Sequence, residues 1–172
     1  VSALMAAETW FDAADAVVHE DGLSVTSTDP GEPNLTLVPL ATEGLSLRIA
    51  KGQEDPLLGW MPRENHRAIP CAVYSKRGPT PQTLVTVMLP HPTEQAPAVQ
   101  AELLAQTPEM VAFRIVREVG EETVLYSFDG PRTMEAAGIA TNGRLAVVRR
   151  APDGALAGGV VAGTELTVDG VP

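Results

Sequence analysis

The chain has 172 residues, 44% of them hydrophobic, and a formal charge of -10. That size and apolar content suit one domain spanning residues 1–172 around a single core, and no apolar run approaches the roughly 18 to 20 residues of a membrane span. A soluble chain with no membrane partner is therefore expected. The acidic excess also excludes a general attraction to nucleic acid, which rewards a basic field, so any anionic ligand has to be met locally.

In chain order, Ser2 to Trp10 comes first, rich in Ala, Leu, Met and Glu, and suits either a short helix or a lead-in strand. Beyond it, short apolar and β-branched runs alternate with polar residues, and Gly, Pro, Asn or Asp punctuate them about every ten residues. That spacing predicts an all-β fold, an antiparallel β-sandwich with little helix. Expected strands are Ala16 to His19, Leu23 to Thr28, Leu35 to Leu40, Leu45 to Ala50, Ala72 to Ser75 and Thr83 to Leu89. They continue with Val99 to Leu104, Met110 to Glu118, Thr123 to Phe128, Arg144 to Arg150 and Glu165 to Val168. Turn residues separate them, at Asp21-Gly22, Pro30-Gly31, Glu43-Gly44, Gly120-Glu121 and Asp169-Gly170, with Asn142-Gly143 and Asp153-Gly154 as the clearest hairpin signals. The connection from Gly52 to Pro70 is longer than a hairpin needs, and loops of that length are often functional.

Few residues offer chemistry. Cys71 is the single cysteine, so there is neither a disulfide framework nor a thiol cluster for metal, and it reads as a buried small hydrophobe. The histidines, His19, His66 and His91, are far apart and lack the spacing of a metal site. His19 reads as a solvated edge residue and His91 as part of a rigid turn between prolines. Tyr74 and Tyr126 sit in strand runs and read as packing residues. No nucleophile elbow or phosphate loop is present, and Gly158-Gly159 with Gly163 reads as turn formation. Asn34-Leu35-Thr36 matches the glycosylation acceptor pattern, which arises often by chance.

The loop after Gly52 is richer. Lys51, Arg63, Arg67, Lys76 and Arg77 outnumber Glu54, Asp55 and Glu64 there, a locally basic stretch in an acidic chain. Trp60 can stack on a sugar ring, while Arg63, His66 and Arg67 can hold a carboxylate or sulfate by charge-assisted hydrogen bonds. These four are the candidate substrate-binding residues. The alternative is that Trp60 plugs the end of the sandwich with the arginines lying over it.

Several pieces together resemble the C-terminal β-sandwich of heparinase II/III-like polysaccharide lyases. They are Asn34-Leu35-Thr36-Leu37 before Pro39, the Gly52 to Trp60 stretch, Ala68-Ile69-Pro70 opening a strand, and Thr86-Val87-Met88-Leu89-Pro90. Asn142 to Arg149 and Gly163 to Gly170 look like that family's last strands, so the similarity covers most of the chain in order. The resemblance implies a parent enzyme that cleaves uronic-acid glycans by β-elimination, with a helical toroid domain as partner and an anionic polysaccharide as substrate. It implies a periplasmic or extracellular location; separately, no cofactor or metal is expected from the residues themselves. No segment here matches the toroid, and the family's catalytic Tyr and His have no motif-matched positions. A non-catalytic C-terminal portion is therefore expected, the alternatives being a stand-alone carbohydrate-binding module or a purely structural sandwich.

Overall fold

The computed structural model describes residues 2–61 and 66–171. Among them no residue is helical and 58% lie in strands, so the chain is an all-β protein of antiparallel sheets, as the sandwich reading expects. It divides into two compact units, one ending at Pro97 and one starting at Ala98.

The first unit holds β1 (Ser2–Trp10), β2 (Asp15–Val18), β3 (Val25–Thr28), β4 (Asn34–Pro39), β5 (Leu45–Ala50), β6 (Gln53–Glu54), β7 (Leu57–Leu58), β8 (Cys71–Pro79) and β9 (Thr86–His91). One sheet runs β1-β8-β5 and another β2-β3-β4-β9, with β6 and β7 as a separate hairpin. Ala72 and Tyr74 of β8 pack with Val25 of β3, Leu37 of β4, and Phe11, joining the two larger sheets around one core. Cys71 and Val73, on the opposite face of β8, pack with Ala50 and Leu58. A strand covered on both faces reads as a continuous apolar run, which Cys-Ala-Val-Tyr is. β1 is the lead-in strand and not a helix. Its nine residues pair without interruption from Ser2 opposite Pro79 to Trp10 opposite Cys71, and that ladder outweighs the helix preference of Ala, Leu and Met.

Polar side chains are buried in β3, β4 and β9 only where they are bonded to one another. His91 Nδ1 donates to Thr93 O at 2.7 Å, and its Nε2 lies 3.1 Å from Thr36 Oγ1. Thr36 Oγ1 meets Thr26 Oγ1 at 2.8 Å, and Thr26 Oγ1 meets His19 Nε2 at 2.7 Å. His19 is thus half-buried and bonded, not a solvated edge residue, and His91 closes a strand where a turn was expected. Asn34 is buried as well: Oδ1 accepts from Asp29 N at 2.8 Å and Ser27 Oγ at 3.1 Å, and Nδ2 donates to Glu32 O at 3.0 Å. That occupied, buried amide is not available as a glycosylation acceptor in the folded chain.

The second unit holds β10 (Val99–Gln106), β11 (Met110–Arg117), β12 (Gly120–Ser127), β13 (Met134–Ala136), β14 (Ile139–Thr141), β15 (Leu145–Arg150), β16 (Leu156–Val161) and β17 (Leu166–Val168). A five-stranded sheet in the order β10-β11-β12-β15-β16 faces a three-stranded one, β13-β14-β17. Ala112, Leu125, Ala146 and Val148 of the first pack on Met134 and Ile139 of the second. Asp153-Gly154 makes the hairpin expected of it, with Gly154 at φ 86°. Asn142-Gly143 does not: it carries the chain from β14 in one sheet to β15 in the other. Asn142 Oδ1 fixes that corner by accepting from the N–H groups of Thr164 and Glu165 at 2.9 and 3.0 Å. Gly163 belongs to the same contact, since a Cβ there would fall 2.4 Å from Gly143 Cα, while Gly158 and Gly159 lie within β16 and form no turn. Gly120-Glu121 opens β12, the turn falling on Glu118-Val119. Tyr126 is half-buried, with Phe128 edge-on at 5.8 Å and the Arg144 guanidinium over its ring.

Replacing Asn34 with Ala strands the Asp29 N–H and leaves buried polar atoms without partners. Asn34→Ala is expected to lower unfolding stability by about 2 kcal/mol, measured by urea denaturation, and Asn34→Asp is expected to lose stability too, because a buried carboxylate oxygen cannot donate to Glu32 O.

Candidate functional site

The Gly52–Pro70 connection folds back on itself. In the β6–β7 hairpin Gln53 lies opposite Leu58 and Glu54 opposite Leu57. The Gln53 side chain ties it together, donating from Nε2 to Asp55 O at 3.1 Å and Pro56 O at 3.0 Å while Oε1 accepts from Arg48 Nη1 at 2.9 Å. Gly59 follows at φ 73°, where a Cβ would lie 2.6 Å from Ala50 O and 2.7 Å from Lys51 Cα. A side chain there would drive the loop off the strand, so glycine sets the close approach. Just after it, Ile69 N donates to Gly59 O at 2.9 Å and Met61 N to Arg67 O at 2.8 Å, while Trp60 bridges Ala68.

This pairing fixes the Trp60 ring. Its Nε1 donates to Gln53 O at 2.9 Å, and its six-membered ring lies over Gly52, 3.5 Å from where a Cβ would be. Beside it opens a cavity of about 500 Å³ lined by Trp10, Glu54, Leu57, Trp60, Met61 and His66, with Leu58 also on its wall. Leu58 belongs to the buried cluster with Cys71 and Val73, so the cavity stands directly on β8. Trp10 ends β1 opposite Cys71 and is 41% exposed, and Leu57 is 74% exposed. Both tryptophans of the chain therefore face one hollow, with a carboxylate and an imidazole among its lining groups.

Of the four residues expected to bind substrate, Trp60 and His66 meet in this cavity. Arg67 does not join them: its guanidinium pairs with Asp12, both side chains exposed. Arg63 lies outside the described residues. Lys51 and Lys76 do not join them either: Lys51 binds Ala14 O at 2.7 Å and Asp15 at 3.4 Å, and Lys76 donates to Ala41 O at 3.1 Å. Trp10, Glu54, Leu57 and Met61 were not identified from sequence. Trp10 carried a usable signal, since pairing of β1 with the strand that follows Pro70 places it beside the loop. Among the described residues no group of three His, Cys, Asp or Glu gathers to hold a metal ion, and no helix is long and apolar enough to cross a membrane.

The thiol beneath the cavity is inert. Burial pushes Cys71 up to about 11 from an ordinary 9.0, with Glu8 adding to the rise and Arg48 opposing it. Burial also raises the Tyr74 phenol, with Asp21 adding, and its hydroxyl donates to Leu23 O at 2.7 Å. Both groups ionise more readily in the unfolded chain. The stability tied to the neutral Cys71 thiol is thus complete below pH 9.0 and is lost as pH rises through about 11, while that tied to the neutral Tyr74 phenol is lost only above pH 10.0. The native protein is expected to be unreactive to Ellman's reagent at pH 8 and to react fully in urea. Urea midpoints should fall between pH 9 and 11, and less steeply in Cys71→Ala. No family model matches the chain, and comparison with characterised proteins finds no significant match.

Proposed function

We propose that this chain is a non-catalytic, glycan-binding β-sandwich, the C-terminal portion of a heparinase II/III-like lyase acting on uronic-acid polysaccharides. The observation that carries the reading is the cavity between Trp10 and Trp60. Aromatic faces suit the apolar face of a sugar ring, and a small number of polar groups in such a hollow give orientation. Glu54 can accept from sugar hydroxyls, and His66 can donate to a uronate carboxylate. With Arg67 and Lys51 paired to Asp12 and Asp15, recognition rests on stacking more than on charge. That accords with the strongly acidic composition. The β-elimination itself, the helical toroid partner and a periplasmic or extracellular location belong to the proposed parent enzyme and rest on the resemblance.

The exposed apolar rim supplied by Leu57 and Trp10 favours a second reading, in which the hollow docks a partner domain and holds no sugar. Calorimetric titration with tetrasaccharides of hyaluronan, heparan sulfate and alginate separates the two. Saturable binding of at least one is expected. Trp10→Ala is the informative variant, since its ring is more open than that of Trp60; it should weaken binding by about tenfold, or about 1.4 kcal/mol, with little change in melting temperature. Absence of binding to all three would overturn the glycan reading in favour of docking. Incubation of the same glycans with the chain alone is expected to give no ultraviolet absorbance from unsaturated uronate, and product formation would contradict a non-catalytic role.

A further inference from the structure

The two edges of the five-stranded sheet in the second unit are finished differently. β10 carries Glu102 and a register shift between Leu103 and Ala105, two devices that discourage another strand from adding. β16, Leu-Ala-Gly-Gly-Val-Val, has no charge, no proline and no bulge against β15. Ala151 N donates to Ala155 O at 2.9 Å, and the ladder continues with Arg149 opposite Ala157 and Val147 opposite Gly159. Antiparallel alternation then turns the N–H and C=O groups of Leu156, Gly158 and Val160 away from β15. Among the described residues no backbone partner reaches them.

A trough of about 630 Å³ borders this edge, lined by Gly158, Gly159 and Val160 on one side and Thr164 to Thr167 on the other. A smaller apolar hollow of about 200 Å³ adjoins it, lined by Leu166 and Val168 with Leu156 and Val171. Gly159 has open space where its Cβ would be, so packing within the unit does not require glycine there. A bare strand backbone with no internal reason for it marks a place where another backbone approaches closely. Glu165 stands exposed at the trough and enters no ion pair among the described residues.

We infer that β16 accepts an extended segment of a partner polypeptide as an added antiparallel or parallel strand, apolar at alternate positions and carrying Lys or Arg opposite Glu165. Main-chain hydrogen bonds to Leu156, Gly158 and Val160 supply affinity, and alternate side chains enter the hollow over Leu166 and Val168. Charge decides against a second copy of this chain. From Ala98 onward there are ten Asp and Glu against six Arg and no Lys, and self-pairing would bring two such acidic units together. The inference is independent of the glycan reading, which concerns the other unit.

The test uses the full ¹⁵N-labelled chain, titrated with acetyl-Lys-Val-Thr-Val-Thr-Val-Thr-amide and with the same peptide bearing Glu in place of Lys. The amide resonances of Leu156, Gly158 and Val160 are expected to move saturably with the Lys peptide, which should bind about tenfold more tightly than the Glu peptide. Glu165→Gln should narrow that preference to about threefold or less. Val160→Pro removes an outward N–H while leaving the ladder to β15 intact, and should abolish the shifts. Leu156→Pro, at an exposed strand-opening position, does the same where Val160→Pro disturbs the contact of Val160 with Gly143. No saturable shift at these amides would overturn the inference. So would a concentration-dependent dimer in sedimentation that Val160→Pro abolishes, because the occupant would then be a second copy.

Discussion

Everything in the first unit depends on covering both faces of β8. Ala72 and Tyr74 need one apolar layer and Cys71 and Val73 need another, and no single sheet can supply both. Phe11, with Val25 of β3 and Leu37 of β4, covers the first face. The second is covered by Ala50 and by Leu58, which the Gly52–Gly59 turn folds inward. The hollow is a by-product of that second layer: the hairpin that brings Leu58 onto Cys71 also carries Glu54 and Leu57 to the rim and sets Trp60 against Gly52. A substitution that spoils the close approach at Gly59 would therefore disturb core and cavity together, and Gly59→Ala would not be a clean probe of binding.

The strand pattern was legible because it was local. Leu45–Ala50 has the bounds its alternation indicates, and Met110–Arg117 and Leu145–Arg150 differ from expectation by one residue. β1 was ambiguous, because its composition suits a helix and only its partner strand, Cys71–Pro79, far along the chain, decides for a strand. β16 was missed because Gly158-Gly159 carries turn chemistry and only the ladder to β15 shows its conformation. Asn142-Gly143 failed for a related reason: its dipeptide fits a hairpin, but the strands on either side belong to different sheets.

The site was half legible. Trp60 and His66 share a loop, and loop proximity is a fair guide to spatial proximity, so they meet. Charge was a poor guide: Lys51, Arg67 and Lys76 are spent on Asp12, Asp15 and backbone carbonyls contributed by other segments, which no local count can reveal. Trp10 needs a register that spans most of the unit. The free edge of β16 is a property of a whole sheet, seen only by comparison with the bulged, charged edge at β10.

The central claim is that the hollow between the tryptophans holds a sugar. The most direct measurement is the indole N–H resonance of each tryptophan, assigned through Trp10→Phe and Trp60→Phe, during titration with uronate-containing tetrasaccharides. The account predicts that both resonances move together and saturate at the same glycan concentration, the Trp10 resonance moving further because that ring is freer. Two unmoved resonances, or a shift confined to residues of the second unit, would contradict it.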